Sequence, residues 1–348
     1  MKNKKLVIFI IFFAIIISLT IVFFKVKPQA TSEENTPKEK SNYFLGTYIS
    51  IKLYDKSSDD MFTDMFNILN DIEEKMSINI EESEVSKINK NAGKSPVMVS
   101  HETFEVIKRG EYYSNLSEGN FDITIGPLVQ LWGIGSESAK VPSQKEIDKA
   151  TSKIDYTKIL IDEEKQTIQL SEEGMVIDLG GIAKGYAADK IAEYLESKDV
   201  NSAIINLGGN IFALGNKTTG EKWGIGVQNP FDSRGDYFAI LKVSNKSIVT
   251  SGVYERFLEV DGKTYHHILS PFTGYPVDNK LMSVTIIADN SIDADGLSTT
   301  LFTLGIDKGM NLIESLNGVD AIFVNSDKKV FISSGIDSLQ ITNPEFKK

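Results

Sequence analysis

The chain of 348 residues contains no cysteine, and that absence removes disulfide bonds, thiolate zinc sites, cysteine nucleophiles and an N-terminal lipid-bearing cysteine. A chain without thiols also suits an exposed compartment, where a free thiol is a hazard. Histidine is almost as scarce, with three residues, and there is no HExxH helix, no GxSxG elbow and no plausible Ser-His-Asp spacing. Positive charge is in deficit: 37 Lys and Arg stand against 48 Asp and Glu, leaving a net charge of −11. Sequence-independent nucleic-acid binding, which Lys and Arg carry on phosphate, is disfavoured. No repeat or low-complexity tract stands out in the body of the chain.

What the chain does have is one long apolar run. After MKNKK comes LVIFIIFFAIIISLTIVFF, Leu6 to Phe24, in which only Ser18 and Thr20 are polar. At about 1.5 Å per residue the run reaches roughly 28 Å, close to a hydrocarbon core of about 30 Å. The following Phe-Phe-Lys-Val-Lys-Pro offers no small-x-small cleavage site, so residues 1–26 are expected to form an uncleaved membrane anchor. Lys2, Lys4 and Lys5 hold the N-terminus in the cytoplasm, although Lys25 and Lys27 reduce the asymmetry, and the body is then extracytoplasmic. Residues 27–42, opening KPQATSEENTPKEKS, are polar, carry proline and lack the apolar surface to fold, so they are expected to be a disordered tether. Residues 43–348 make the folded domain.

Within that domain GTYISIKLY (Gly46 to Tyr54) alternates like a half-buried strand. Met61, Met65, Ile68, Leu69 and Ile72 predict a helix over 58–76, with further helices near 101–116 and 182–196. Short strand-like runs follow: SAIINL, NIFALG, WGIGVQ, FAILKVS, SIVTSG, YERFLEV, MSVTIIA, AIFVNS and KVFISS. One more helix starts near Asp295 and continues past Phe302. Meandering strands with interspersed helices imply an α+β domain with mixed or antiparallel sheets.

Four stretches bear on chemistry. VIDLGGIAKGYAADKIAEYL, Val176 to Leu195, is a buried strand handed through Gly180 and Gly181 to a helix, with Lys184 and Gly185 at the turn. Such a turn brings backbone N–H groups and a positive helix end up to phosphate, yet it fits neither the P-loop nor the dinucleotide spacing. It is therefore either packing or a phosphate cradle of another kind. In SIDADGLSTTLFTLG, Ser291 to Gly305, Asp295 and Thr299 stand four apart, one turn from each other on one helix face. A carboxylate and a hydroxyl, completed by a backbone carbonyl and substrate oxygens, suit Mg²⁺. The plainer alternative is that Asp293 or Asp295 caps the helix. An EF-hand is not closed, because Phe302 stands where its glutamate is needed. GNFDITIGPLVQLWGIG, Gly119 to Gly135, is either a glycine-rich turn above a core tryptophan or a loop folded against a flat ligand. KTYHHILSPFTGYP, Lys263 to Pro276, carries His266 and His267; on a strand these face opposite ways, so at most one serves a given site.

Taken together, LGTYISI, KMSINIEESEVSKIN, GNFDITIGPLVQLWGIG, IDLGGIAKGYAAD, INLGGNIFALG, VTSGVYERF, HHILSPFTGYPV and ADGLSTTLFTLG resemble, in order, the FAD:protein FMN transferase (ApbE) family. The resemblance spans Leu45 to Gly335 and implies an ApbE, T-fold-like domain. It further implies an enzyme that takes FAD, lets a threonine hydroxyl of an acceptor flavoprotein attack the FMN-side phosphorus, and releases AMP. Carried over by motif, Mg²⁺ is held by Asp295, Thr299 and the carbonyl of Gly181. The flavin nucleotide touches Leu45, Asn79, Asn120, Phe121, Asp122, Asp178, Lys184 and Leu269. Asp295, Lys184 and His267 form the catalytic group, with His267 as the proton acceptor. The chain departs from the family pattern at Leu45, often methionine, at Asn79, often tyrosine, and at Ser270, usually aspartate. Two alternatives share these residues: a Mg²⁺-dependent FAD pyrophosphatase giving FMN and AMP, and a tethered, non-catalytic flavin binder.

Overall fold

A computed structural model of the protein describes residues 36–348, and the expected membrane anchor with most of the expected tether lies outside the described residues. Among the described residues no helix is long and apolar enough to cross a membrane. The folded unit begins at Lys38. The last residues of the expected tether are therefore structured: KEKSNYF forms β1 (Lys38–Phe44), paired antiparallel with β2 (Thr47–Leu53) from Lys38↔Leu53 to Phe44↔Thr47. Composition misses this strand because its residues are mostly exposed and it is held by backbone hydrogen bonds at a sheet edge, where lysines are favoured.

The order continues with α1 (Asp59–Met76) and α2 (Glu84–Lys90), then β3 (Val97–Met98), α3 (His101–Leu116), α4 (Gly126–Trp132) and α5 (Gln144–Thr151). A short sheet is completed by β4 (Ile159–Asp162) and β5 (Thr167–Leu170), and α6 (Ala183–Ser197) follows. Next come β6 (Ser202–Leu207), β7 (Asn210–Gly215), β8 (Trp223–Gln228), β9 (Tyr237–Val243), β10 (Lys246–Gly252), β11 (Phe257–Val260) and β12 (Lys263–His266). The chain closes with β13 (Leu281–Ala288), α7 (Ser291–Ser315), β14 (Asp320–Asn325), β15 (Val330–Ile332) and β16 (Leu339–Ile341). The main sheet has eight strands in the order β1-β2-β6-β7-β10-β13-β14-β15, and every pairing between named strands is antiparallel. This is an α+β domain. Helices α6 and α7 lie on one face, where Ile191, Leu195, Leu297 and Leu301 join Ile205, Val249 and Val284 in the core.

Helix α1 forms because Ser58 accepts the Met61 N–H at 3.2 Å and Phe62, Met65, Leu69, Ile72 and Met76 make one buried face. Helix α7 begins at Ser291, four residues ahead of its expected start, and neither Asp293 nor Asp295 caps it. The cap comes from α6: the Asp189 carboxylate accepts the N–H groups of Ser291 at 2.6 Å and Ile292 at 2.8 Å. Asp293 pairs instead with Arg109 and the Tyr113 hydroxyl. The expected strand YERFLEV shortens to Phe257–Val260, with Tyr254 to Arg256 in a turn.

Candidate active site

The two helix starts meet, and Gly185 lets them do so. A Cβ there would stand 2.6 Å from the Ile292 Cα, so any other residue would push α6 off α7. At that crossing the Gly185 N–H donates to Asp295 Oδ2 at 2.9 Å. The second oxygen, Oδ1, faces the Lys184 ammonium at 3.4 Å, and Lys184 also reaches the Gly180 carbonyl at 3.2 Å. The Asp295 side chain is only 5% exposed, which makes this pair a buried charge held by one ammonium and one amide. One turn on, the half-buried Thr299 hydroxyl lies 3.5 Å from Ser251 Oγ. Gly181 closes the group: a Cβ on it would stand 3.7 Å from Thr299 Oγ1 and 3.1 Å from the Phe121 ring. The fold thus gathers Gly181, Lys184, Asp295 and Thr299, residues far apart in sequence.

The donor set fits Mg²⁺. It offers a carboxylate oxygen not bonded to the backbone, one hydroxyl and the backbone oxygen of Gly181, all hard donors. Lys184 already supplies positive charge where Asp295 needs it. Among the described residues no group of three or more His, Asp or Glu is placed to hold a metal, so substrate oxygens have to complete any coordination shell.

A charged neighbourhood surrounds these four. Burial raises the Asp178 carboxyl, while the Gly180 N–H at 2.7 Å and the charges of Arg256 and Lys184 pull it back. Burial likewise raises Glu255, against Arg234, Lys184 and Arg256. His267 is lowered to about 4, by burial first, opposed by its bond to the Arg256 carbonyl and reinforced by the charge of Arg256. The same two cations, Lys184 and Arg256, act on Asp178, Glu255 and His267. Arg256 also donates to the Gly46 carbonyl at 2.7 Å and packs its stem on Gly135.

The two histidines separate cleanly. His266 uses both ring nitrogens, Nε2 with the Val277 carbonyl at 3.0 Å and Nδ1 accepting the Ile268 N–H at 3.3 Å. Among the described residues His267 bonds only through Nδ1, to the Arg256 carbonyl at 3.2 Å. Donation to that carbonyl fixes the tautomer and leaves Nε2 with a lone pair, the form required of a base.

Other expected ligand-binding residues fare differently. Leu45 occupies the tight β1–β2 turn at φ 51°, beside the Gly46 carbonyl that Arg256 holds. Asn120 is half-buried and its side chain donates to the Ser117 carbonyl at 2.8 Å. Phe121 lies over Gly181 and edge-on to Tyr113, 6.5 Å between ring centroids. The Asp122 side chain is turned inward: Oδ1 accepts the N–H and hydroxyl of Thr124, both at 2.7 Å, and Oδ2 accepts the Tyr156 N–H at 3.1 Å. Its carboxyl is pushed up to about 6 by burial, and it holds two loops together, so only its backbone is left to face a ligand. The Leu269 side chain likewise packs with Leu128, Trp132 and Ile147. Asn79 sits exposed in the turn after α1, its N–H on Ser77 Oγ at 3.2 Å. A cavity of about 510 Å³ lined by Asp55, Asn201, Ser202, Lys217 and Asn245 contains none of these residues.

The model of the ApbE family matches residues 45–323 of the chain. The chain belongs to the ApbE family. Curated relatives of the family named FAD:protein FMN transferase include one from Klebsiella pneumoniae, 38% identical over 301 residues, covering 86% of this chain and 93% of the relative. Another, from Treponema pallidum, is 34% identical over 88% of this chain and 90% of its own. Among solved ApbE structures, the flavin transferase ApbE from Vibrio cholerae superposes with a TM-score of 0.77 at 29% identity, covering 86% of this chain and 97% of its own. The ApbE protein from Thermotoga maritima gives a TM-score of 0.79 at 33% identity, with 86% and 97% covered.

Against the family pattern, Ser270 has a definite structural part. Its hydroxyl accepts the N–H groups of Phe272 and Thr273, each at 3.3 Å, which closes a turn of the kind that an aspartate also closes. The residues that sequence reasoning missed are Arg256 and Glu255. Both stand in YERFLEV, a run assigned to a strand, and their charges act on the site from the turn that precedes the shortened strand.

Proposed function

We propose that the protein is a Mg²⁺-dependent FAD:protein FMN transferase that moves FMN onto a threonine hydroxyl of an acceptor flavoprotein and releases AMP. The observation that carries this reading is the convergence of Asp295 Oδ1, Thr299 Oγ1, Gly181 and Lys184 at the crossing of two helix starts. Asp295, Thr299 and the Gly181 carbonyl would hold the metal, which when bound neutralises charge on the non-bridging phosphate oxygens. Lys184 meets the same diphosphate as a point charge. His267 Nε2 takes the proton from the threonine hydroxyl as its oxygen bonds to the FMN-side phosphorus and the bond from that phosphorus to the AMP-side oxygen breaks. AMP departs with the electron pair, and the proton leaves His267 for solvent. Positioning and charge carry most of such a transfer, and a site built from a buried carboxylate, a lysine and a glycine-lined approach supplies both.

The same reading has the apolar N-terminal run holding the protein on the membrane with the domain outside. Protease shaving of intact cells tests that placement, and a protein confined to the cytoplasmic fraction would contradict it. For the activity, purified protein is incubated with FAD and Mg²⁺, with and without an acceptor polypeptide, following AMP and protein-bound flavin fluorescence. Acceptor-dependent AMP with covalent fluorescence on the acceptor supports transfer. Free FMN and AMP regardless of acceptor indicate hydrolysis, and bound FAD without AMP indicates a binder.

A further inference from the structure

Phe272 is 63% exposed, yet its backbone is tied to the core. The turn that carries it is closed three times: by Ser270 Oγ on the Phe272 and Thr273 N–H groups, by the Gly274 N–H on the Ser270 carbonyl at 2.8 Å, and by the Ser270 N–H on the Tyr275 carbonyl at 2.8 Å. The Gly274 carbonyl in turn accepts the Trp132 Nε1–H at 2.8 Å, and Trp132 is fully buried. Beyond the touch of its edge on the Gly119 and Tyr156 corner, most of this apolar ring faces water. Its backbone is preorganised, so little main-chain freedom remains to be given up when something packs on the ring.

What arrives is indicated by where the ring sits. Its Cζ is 3.6 Å from where a Cβ on Gly119 would stand, and the Tyr156 ring lines the same spot at 3.3 Å. Gly119 leads through Asn120 to Phe121, whose ring covers Gly181 beside Thr299. Gly119 and Phe121 lie at most about 7 Å apart along the chain, so contacts run from Phe272 through Gly119 and Phe121 to Gly181 at the site assigned to the metal and diphosphate. A dinucleotide whose diphosphate lies there has two nucleoside halves, and this rim is within the direction one of them can take. The exposed residue that the family resemblance assigns to the nucleotide, Asn79, presents an amide and no ring.

We propose that Phe272 packs against one of the two planar rings of bound FAD, isoalloxazine or adenine, and so sets the affinity of this chain for its flavin substrate. The inference rests on the reading of the protein as an FAD-dependent transferase. The test measures dissociation constants of the full-length protein, with Mg²⁺, for FAD, riboflavin and ADP, together with AMP release. In Phe272→Ala the affinity for FAD is expected to fall about three- to tenfold, the range of one aromatic pair. One fragment, riboflavin or ADP, falls by the same factor and identifies the ring, the other is unchanged, and Phe272→Trp restores both values. Unchanged FAD affinity overturns the proposal, as does an equal loss for both fragments or for neither. A raised KM for the acceptor with unchanged FAD affinity also overturns it, and assigns the ring to the acceptor protein. If the unmodified protein binds no FAD, the functional reading itself has failed, which is distinct from a variant that matches an FAD-binding parent.

Discussion

The crossing of α6 and α7 and the rim of turns around it are built on opposite plans. At the crossing the working atoms are buried and doubly held: one oxygen of Asp295 is fixed by the Gly185 amide, the other faces Lys184, and α7 itself is capped by Asp189 of α6. On the rim, Leu45, Asn79, Arg256 and Phe272 stand on exposed or half-exposed turns and answer to solvent as much as to the core. On the proposed reading the difference separates two tasks: charge placement, which a phosphoryl transfer depends on, falls to two helices tied to each other by side-chain-to-amide bonds, and ligand recognition to turns that can change residue by residue.

The sharpest way to break that division is Asp295→Asn, which keeps an acceptor for Gly185 but removes the negative charge. AMP release at limiting Mg²⁺ should fall on the order of a thousandfold while the melting temperature changes little. Near-normal turnover would make the crossing a packing feature.

Next in size is His267→Gln, expected to lower kcat about a hundredfold with FAD affinity unchanged. His266→Gln should act on stability, by about 1 to 3 kcal/mol in chemical denaturation, because it leaves bonded partners unmatched. Since His267 is lowered to about 4, the pH profile of kcat/KM should hold level from pH 8 to near 5 and decline only toward 4. The sign for stability follows from the same shift. An unfolded histidine takes its proton near 6.5 and the folded one near 4, so the unfolded state binds more protons between these values and stability falls as pH drops through that window. A midpoint of activity near 6.5 would remove His267 as the base.

Lys184→Met probes the border between crossing and rim. Removing a charge-assisted hydrogen bond from a partly buried site should weaken FAD about ten- to a hundredfold, with riboflavin little affected because it has no phosphate. Equal losses for the two ligands in titration would show that Lys184 serves only to balance Asp295. The smallest effect belongs to the rim: Ser270→Ala removes the acceptor of two N–H groups and should cost about 1 kcal/mol in thermal unfolding, whereas Ser270→Asp restores it.

Most of the secondary structure was legible because it obeys local rules. The periodic face and Ser58 cap of α1 and the alternation of β6, β7 and β8 are visible in a few residues each. Asp295 and Thr299 were legible too, since helical spacing alone puts them on one face. Their context was not. The cap of α7 comes from Asp189, 102 residues earlier, and no local pattern announces it. Strand β1 was hidden by its exposure, and Asp122, which the family resemblance assigns to the flavin nucleotide, spends its side chain on Thr124 and Tyr156. The D-x-T spacing to Thr124 was the available signal that the side chain closes its own turn. Arg256 could not be foreseen, as its partners Gly46 and Gly135 meet it only in the folded chain.

The paired carboxylates of Asp189 and Asp295 run in opposite directions between the same two helices. Asp189 of α6 grips amides of α7, and Asp295 of α7 grips an amide of α6. Such a crossed clasp resists sliding along either axis, since a slip that relaxes one bond stretches the other. The rotamer of Asp295, and with it the aim of Oδ1, is thereby held by a backbone amide of the neighbouring helix. A glutamate at position 295 carries the same charge, yet its extra methylene would unfasten the clasp and swing the free oxygen away from its target.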